Sequence, residues 1–312
     1  MTSMQTPTAT SYEIAHKVPT RQAVGQMMTK IPIEIVHLSS SVALLEHPCG
    51  NMLVSHGPDG VLAVDCYTVE MADLVDEAIR TFTAAPYRFA VPTHFHYDHA
   101  GGAAMFAAGG ALVIGAPNAR ARMSCSHVVC HMGVQQEAYP DIALPTLNFE
   151  SALTVKLNGE TVSLQSFSAH TDTDAVVRFD EANVVHTGDV FVNMTDYPTY
   201  PFLDMAAGAS SVGALDAVEF ALGLCDDRTV VLPGHGPRAG ISELRSYRDL
   251  LAAAHDGVKQ RLDAGLSRAE IVASADAILA DFRLNEPLVD DWIFIGDVVD
   301  SIEQSLSPPA LP

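Results

Sequence analysis

The residues best suited to chemistry lie together in one short stretch, Thr93-His94-Phe95-His96-Tyr97-Asp98-His99-Ala100-Gly101-Gly102. Alternate residues of an extended backbone point to the same side, so His94 and His96 can offer ring nitrogens to a single cation. Asp98 and His99 follow where the chain turns into a predicted helix, and they point towards a second cation nearby. The alternative interpretation is a His-rich surface loop that binds no metal.

Three later segments each place a His or an Asp just after an apolar, strand-like run. His170 follows the run 161–167, Asp189 follows a run that includes Val184 and Val185, and His235 follows Val230-Val231-Leu232. Loops at the edge of a sheet collect functional residues from distant parts of a chain in this way. These side chains are therefore predicted to join the first cluster, which argues against the surface-loop alternative.

Together these residues resemble the metallo-β-lactamase fold superfamily of metal-dependent hydrolases. The family's H-x-H-x-D-H motif stands at residues 94–99, and the later ligands follow in the family's order. The resemblance extends over residues 31–237. It implies an α/β fold, a four-layer αββα sandwich with two sheets inside and helices outside.

The resemblance also implies a ligand set and a reaction. Nitrogen and oxygen ligands of this kind suit Zn²⁺ best, at two ions per chain, with Fe or Mn as other candidates. A hydroxide bridging the two cations would be ionised near neutral pH and would attack a carbonyl carbon, and Asp98 is expected to orient it. The implied ligands are His94, His96 and His170 for one cation, Asp98, His99 and His235 for the second, and Asp189 between them.

The residue at position 189 narrows the class of hydrolase. Asp189 resembles the glyoxalase II and lactonase branches, whereas most β-lactamases of the family lack a carboxylate there. Lactonases carry a Tyr shortly after this Asp, but here Phe191 and Val192 follow and Tyr197 comes later. The C-terminal region has only scattered basic residues for the glutathione that glyoxalase II relatives bind. The interpretation is a dinuclear-zinc hydrolase of a small-molecule ester, thioester, lactone or lactam.

Two other function classes stay open at this point. Persulfide dioxygenases share the fold and bind one iron through two His and one Asp, equivalent by motif to His96, His170 and Asp189 or residues close to them. A binding or scaffold protein that retained the fold without turnover is the other alternative. A Ser-His-Asp hydrolase has no support, because the sequence contains no G-x-S-x-G motif.

Other polar residues are assigned supporting or structural roles. Asp65 ends the apolar run 61–64, and by the resemblance it orients a ligand imidazole. His186 lies inside an apolar run, which favours a satisfied core imidazole over a ligand. Cys125 and Cys130 are interpreted as plain thiols, because a zinc knuckle needs more ligands at tighter spacing. No ligand-like context surrounds His16, His37, His47, His56, His127, His131 and His255.

Composition limits the partners and the location. The net charge of −21 argues against a nucleic-acid partner, whose phosphates require a basic face. The cysteines are odd in number and widely spaced, unlike a disulfide framework. The sequence shows no secretory signal and no apolar run long enough to span a membrane. A cytoplasmic protein without a membrane or nucleic-acid partner is therefore expected.

The elements that position the site follow from the hydrophobic patterns. Residues 31–240 alternate strand-like and helical segments, as a layered α/β catalytic domain does. Residues 125–149 and 191–209 lack a regular period and are predicted to be loops that wall the pocket, although the aromatic residues of the second loop could equally pack on the domain. Residues 1–30 are interpreted as an N-terminal lead segment that precedes this domain. Residues 241–312, with helices expected at 241–262, 267–280 and 287–304, form an extension that could serve a homo-oligomer or cover the pocket.

Overall fold

The strands of the computed structural model, which describes residues 21–129, 134–195 and 198–306, form two central sheets and a separate hairpin. Four residues named in the interpretations above lie outside the described residues, namely Tyr197, Cys130, His131 and His16. The strands are β1 (Glu34–His37), β2 (Val42–His47), β3 (Gly50–Gly57), β4 (Gly60–Val64), β5 (Tyr87–Val91), β6 (Leu112–Gly115), β7 (His127–Val129), β8 (Val134–Gln136), β9 (Leu147–Asn148), β10 (Ala152–Leu157), β11 (Glu160–Phe167), β12 (Asp174–Phe179), β13 (Val184–His186) and β14 (Val230–Leu232).

The two sheets are mixed, and each has its parallel pairs at one end. The first sheet has the order β1-β2-β3-β4-β5-β6-β9, antiparallel from β1 to β4 and parallel from β4 onwards. The second has the order β10-β11-β12-β13-β14, in which only β13 and β14 pair in parallel. Parallel pairing requires a crossover connection, and helices supply it on the outer faces.

The helices cover both outer faces, so the predicted α/β four-layer sandwich with C-terminal helices is confirmed. None of the described helices combines the length and the apolar character needed to cross a membrane. The helices are α1 (Arg21–Met28), α2 (Ala72–Arg80), α3 (Tyr97–Ala100), α4 (Ala103–Ala108), α5 (Ala119–Met123), α6 (Ser211–Gly223), α7 (Ile241–Asp263), α8 (Arg268–Val272), α9 (Ala275–Ile278) and α10 (Asp291–Leu306).

Three apolar cores hold the layers together. Leu53 of the first sheet and Leu164 of the second belong to the core between the sheets. Val75 of α2 and Phe106 of α4 pack on the outer face of the first sheet, and the helices α6, α7 and α10 cover the second. Full burial of one such side chain stabilises the fold by about 1.5–3 kcal/mol. Because each core contains many buried apolar side chains, the layers and the edges of the sheets are held in fixed positions.

Two predictions about elements are wrong in part. Residues 125–149 contain the hairpin β7–β8 and the short strand β9, because strands this short carry too few residues to show a period. The helix expected at 267–280 begins with the predicted capping box at Ser267 but breaks into α8 and α9. Ser274 stands at the break, and its hydroxyl donates to the carbonyl of Ile271, a local bond that competes with helix continuation.

Candidate metal centre

The seven predicted ligands meet at one edge of the two sheets, each just beyond the end of a strand. Those that follow β5 come from the first sheet, and the others follow β11, β13 and β14 of the second. Alternation along the extended chain after β5 brings His94 and His96 to one side. The short helix α3 then turns Asp98 and His99 to the other side. Their side chains form the compact groups His94, His96 and His170; His94, His99 and Asp189; and Asp98, His99 and His235.

The first group presents three ring nitrogens to one point. Nδ1 of His96 lies 3.1 Å from Nε2 of His94 and 3.1 Å from Nε2 of His170. The opposite nitrogens of two of these rings donate elsewhere, since Nε2 of His96 donates to Asp204 and Nδ1 of His170 donates to the carbonyl of Phe202. In a neutral ring, the second nitrogen of His96 or His170 is then an acceptor that faces the group, an arrangement that fits a shared cation.

Burial keeps two rings of the first group, those of His94 and His170, neutral. Loss of solvent, together with the neighbouring His99 and His96, holds the pKa of His94 well below its ordinary value. Burial likewise lowers the pKa of His170 to about 4, despite the nearby Asp189 carboxylate. Neutral imidazoles are the form that binds a metal, so these two rings are ready for one at neutral pH.

The second group is more highly charged. Nε2 of His235 lies 3.3 Å from Oδ2 of Asp98 and 3.3 Å from Nε2 of His99. Burial alone would lower the pKa of His99, but the carboxylates of Asp189 and Asp65 raise it well above its ordinary value. Burial is similarly outweighed at His235, whose pKa is raised by Asp189 and Asp98. The carboxylates thus favour positive charge here, which a proton or a metal can supply.

Asp189 lies between the two groups and directs one oxygen to each. Oδ2 lies 3.7 Å from Nε2 of His170, whereas Oδ1 lies 3.3 Å from Nε2 of His99 and 3.6 Å from Nε2 of His235. Although burial would raise the pKa of Asp189, the two imidazoles on the Oδ1 side hold it well below its ordinary value. Oδ1 is buried and makes no hydrogen bond within the described residues. A buried, ionised oxygen without a donor fits coordination by a cation.

A carboxylate beneath the site fixes the orientation of one ligand, as the resemblance implied for Asp65. Its Oδ2 accepts from Nδ1 of His99 at 2.8 Å, and its Oδ1 accepts from the backbone N–H of Thr93 at 2.7 Å. Asp65 is buried and has a φ of 66°, in the left-handed region. The surrounding hydrogen bonds offset the strain of this backbone conformation. The bond to Nδ1 leaves Nε2 of His99 facing the metal side.

The prediction that His127 has no ligand-like context is wrong. His127, His96 and Asp204 form a further compact group of possible ligand atoms. Oδ2 of Asp204 accepts from Nε2 of His96 at 2.9 Å and from Nε2 of His127 at 2.6 Å. Burial would raise the pKa of Asp204, but its hydrogen bonds from the two imidazoles hold it well below the ordinary value. Because Nδ1 of His96 faces the first group, Asp204 acts here as the partner that orients His96.

The prediction of a core role for His186 is confirmed. Its ring is buried, Nδ1 accepts from the N–H of Gly188 at 3.1 Å, and Nε2 donates to the carbonyl of Asn51 at 3.1 Å. Both ring nitrogens are therefore occupied by the backbone. Cys125 is a free, exposed thiol, in agreement with its interpretation.

A cavity of about 190 Å³ opens beside the two groups. Both predicted walls contribute to it, with Val129 and Val134 from one segment and Phe202 from the other. Tyr200 serves both of the roles considered for the aromatic residues. It lines the cavity, and its buried ring carries a hydroxyl that donates to the carbonyl of Phe282 at 3.0 Å.

Acidification should empty the second group before the first. A raised pKa means that His99 and His235 hold protons at pH values above the ordinary 6.5, and a metal must displace those protons. His170, with a pKa of about 4, competes with a metal only in stronger acid. We expect the variant His170→Ala, which keeps the second group, to lose its remaining metal at a higher pH than His235→Ala does. Dialysis at stepped pH followed by metal analysis measures this, and coincident loss would contradict it.

Asp204→Asn should weaken metal binding at the first group by about 10–100-fold, because it replaces the acceptor that orients His96. Asp172→Asn is the matched control. Its carboxylate pairs with Arg122 at 2.8 Å, across the same loops, but makes no hydrogen bond to the predicted ligands within the described chain. Metal affinity measured by chelator competition should fall in the first variant only. Equal losses would indicate that loosening of the loops is the cause.

Sequence comparison agrees with this geometry. Residues 52–252 match the family model described as the metallo-beta-lactamase superfamily. No curated protein matches the chain. The matched range contains all seven predicted ligands, and it extends into α7.

Several solved structures share the fold. The sec-alkylsulfatase Pisa1 from Pseudomonas sp., described as stereoselective and inverting, has a TM-score of 0.63 and 17% identity over 90% of this chain and 52% of its own. A metallo-beta-lactamase from Pontibacter korlensis has a TM-score of 0.57 and 19% identity over 70% of this chain and 99% of its own. The DIM-1 metallo-beta-lactamase has a TM-score of 0.56 and 16% identity over 72% of this chain and 99% of its own. The chain thus spans about half the length of the alkylsulfatase, and at these identities the likeness concerns the fold.

Proposed function

Since the chain belongs to the metallo-beta-lactamase superfamily, we propose that it is a dinuclear-zinc hydrolase of an ester, thioester, lactone or lactam. The observation that carries the proposal is the position of Asp189 between two ligand groups, with one oxygen towards each. A carboxylate placed in this way suits two cations that act on one substrate. Nitrogen and oxygen ligands favour Zn²⁺, with Fe or Mn as other candidates.

Each part of the site has a defined task in this reaction. Bound cations would supply a nucleophile from water near neutral pH and would polarise the carbonyl oxygen of the substrate. Asp98 lines the cavity, and although burial would raise its pKa, His99 and His235 lower it below the ordinary value. Asp98 is therefore an ionised acceptor that can orient a water molecule. Asp65 and Asp204 hold the ligand imidazoles in their tautomers.

The alternative is a dioxygenase that uses one iron, and the second ligand group argues against it. Asp98, His99 and His235 lie together at one side of Asp189, and a site for a single iron would leave them without a role.

The C-terminal segment also has a place at the site, because Leu288 and Val289 line the cavity. This supports a role for the extension in covering the pocket.

Metal analysis combined with a substrate screen tests the proposal. We expect about two transition-metal ions per chain and hydrolysis of at least one compound among an ester, a thioester, a lactone and the lactam nitrocefin. About one iron per chain, with oxygen consumption and no hydrolysis, would overturn the proposal in favour of the dioxygenase.

A further inference from the structure

The cavity beside the ligand groups is lined mainly by apolar side chains. Most of them come from the hairpin β7–β8, the loop after β13 and the segment before α10, and α1 and the turn between β2 and β3 supply the others. Among the described lining residues, the charged side chains apart from the imidazoles are Asp98 and Asp189, which belong to the ligand groups, and none is Lys or Arg. The apolar residues that matter for the argument are Val129, Val134, Val192, Pro201, Phe202 and Leu288.

The loops beside the cavity add no free basic residue among those that the structure describes at the hairpin β7–β8 and the helix before it. In the sequence, residues 130–133 read Cys-His-Met-Gly and residues 196–197 read Asp-Tyr, so neither segment contains Lys or Arg. Arg122, on the helix before the hairpin, makes two hydrogen bonds to the carboxylate of Asp172 and one to the carbonyl of Ala206. Apart from the imidazoles of the ligand groups, the described lining therefore offers no cationic side chain to an anionic group on a substrate.

The lack of Lys and Arg among the described lining residues determines which substituents the cavity accepts. A carboxylate moved from water into apolar surroundings without a partner is strongly disfavoured, whereas a hydrocarbon group is favoured there. The volume of about 190 Å³ lies below the ~300–1,000 Å³ of pockets that enclose drug-sized ligands. The cavity thus selects against both charge and bulk.

We propose that the substrates are small, uncharged carbonyl compounds whose apolar acyl group occupies this cavity. The proposal rests on the proposed hydrolase function and specifies its substrate class. Carbonyl compounds with a carboxylate on the acyl side, such as half-esters of dicarboxylic acids, are excluded by the same apolar walls.

Matched substrates test the proposal. The p-nitrophenyl ester of hexanoic acid and the p-nitrophenyl half-ester of adipic acid have acyl chains of equal length, and the second ends in a carboxylate. We expect kcat/KM to be at least ~10-fold higher for the uncharged ester, because the mainly apolar walls offer the carboxylate no cationic partner. Equal or higher kcat/KM for the charged ester would overturn the proposal.

A binding measurement separates this proposal from the function on which it rests. Hexanamide and the monoamide of adipic acid have the same two acyl groups on an amide in place of the ester. Calorimetric titration of the metal-loaded protein should show tighter binding of hexanamide. If hexanamide binds preferentially and neither ester is hydrolysed, the proposed hydrolase function is overturned while the cavity preference stands. If the charged amide binds as well or better, the substrate class is overturned whatever the turnover.

Neighbouring residues of one strand provide matched variants. The side chain of Val129 lines the cavity and is 2% exposed, whereas that of Val128 is 51% exposed. Val129→Lys should shift the ratio of kcat/KM by at least ~10-fold towards the charged ester, and Val128→Lys should leave it unchanged. Leu288→Lys provides a second variant that should fold readily, because Leu288 lines the cavity while 58% exposed. Melting temperatures identify any variant that is unfolded, and an unchanged ratio in the folded lining variants would overturn the proposal.

Discussion

Removal of metal should reduce hydrolysis by more than ~10³-fold, and added zinc should restore it. The expectation follows from the lack of an activated protein nucleophile among the described cavity residues. Loss of a single preorganised electrostatic group costs an enzyme ~10²–10³-fold, and loss of the metals removes both the nucleophile and the polarising charge. The measurement is the initial rate on the best ester after exhaustive dialysis against a chelator, then after stepwise addition of zinc.

Cys49 provides the control for this experiment, because it is the thiol that lines the cavity in the described part of the chain. Burial, and then the charge of Asp98, raise the pKa of Cys49 to about 12, so the reactive thiolate is scarce at neutral pH. Cys49→Ala should retain the activity of the metal-loaded protein and its dependence on zinc. Full activity in metal-free protein, lost in Cys49→Ala, would show instead that the thiol is the nucleophile.

Asp189→Ala should weaken metal binding at both ligand groups, whereas His170→Ala should empty mainly the first. The two oxygens of Asp189 face different groups, at 3.7 Å from His170 and 3.3 Å from His99. Removal of a carboxylate that stabilises two cations weakens the binding of both. We expect the affinity for each cation to fall by more than the ~10–100-fold typical of an orienting residue. Metal content per chain, measured after dialysis against a fixed low concentration of zinc, distinguishes the two patterns.

The exposed carboxylate of Asp180 is a suitable control for the Asp-to-Ala change, since it lies in the turn after β12 and in none of the compact ligand groups. Asp180→Ala should keep the full metal content. If Asp189→Ala loses no more metal than His170→Ala, Asp189 is an orienting residue and the shared-carboxylate interpretation is wrong.

The meeting of the candidate ligands at one edge of the sheets could be predicted from the sequence because local rules position them. His94 and His96 alternate in an extended segment, and Asp189 and His235 each follow a short apolar run that forms a strand. His186 could be assigned to the core for the same reason, since apolar neighbours surround it in the chain. In each case the information lies within a few residues of the side chain.

The resemblance implied Asp65 as a partner of one candidate ligand, but Asp204 and His127 could not be predicted, because their positions depend on contacts between distant segments. Asp204 lies in an irregular segment and meets His127, a residue of a three-residue strand that forms a two-stranded hairpin with β8. Neither segment has a period that a sequence pattern could register. The break between α8 and α9 at Ser274 escaped prediction for a related reason, because helical propensity alone does not reveal a competing side-chain bond.

The origin of the ligands in two different sheets has a consequence for the lifetime of the chain. A cation held by His99 and His235 would join loops of the first sheet to loops of the second, and unfolding would separate them. A ligand that binds only the folded state stabilises it by about 2.7 kcal/mol when its free concentration is 100 times its dissociation constant. We therefore expect zinc supply to govern how much of this protein a cell retains, since chains without metal open more often and are degraded by proteases.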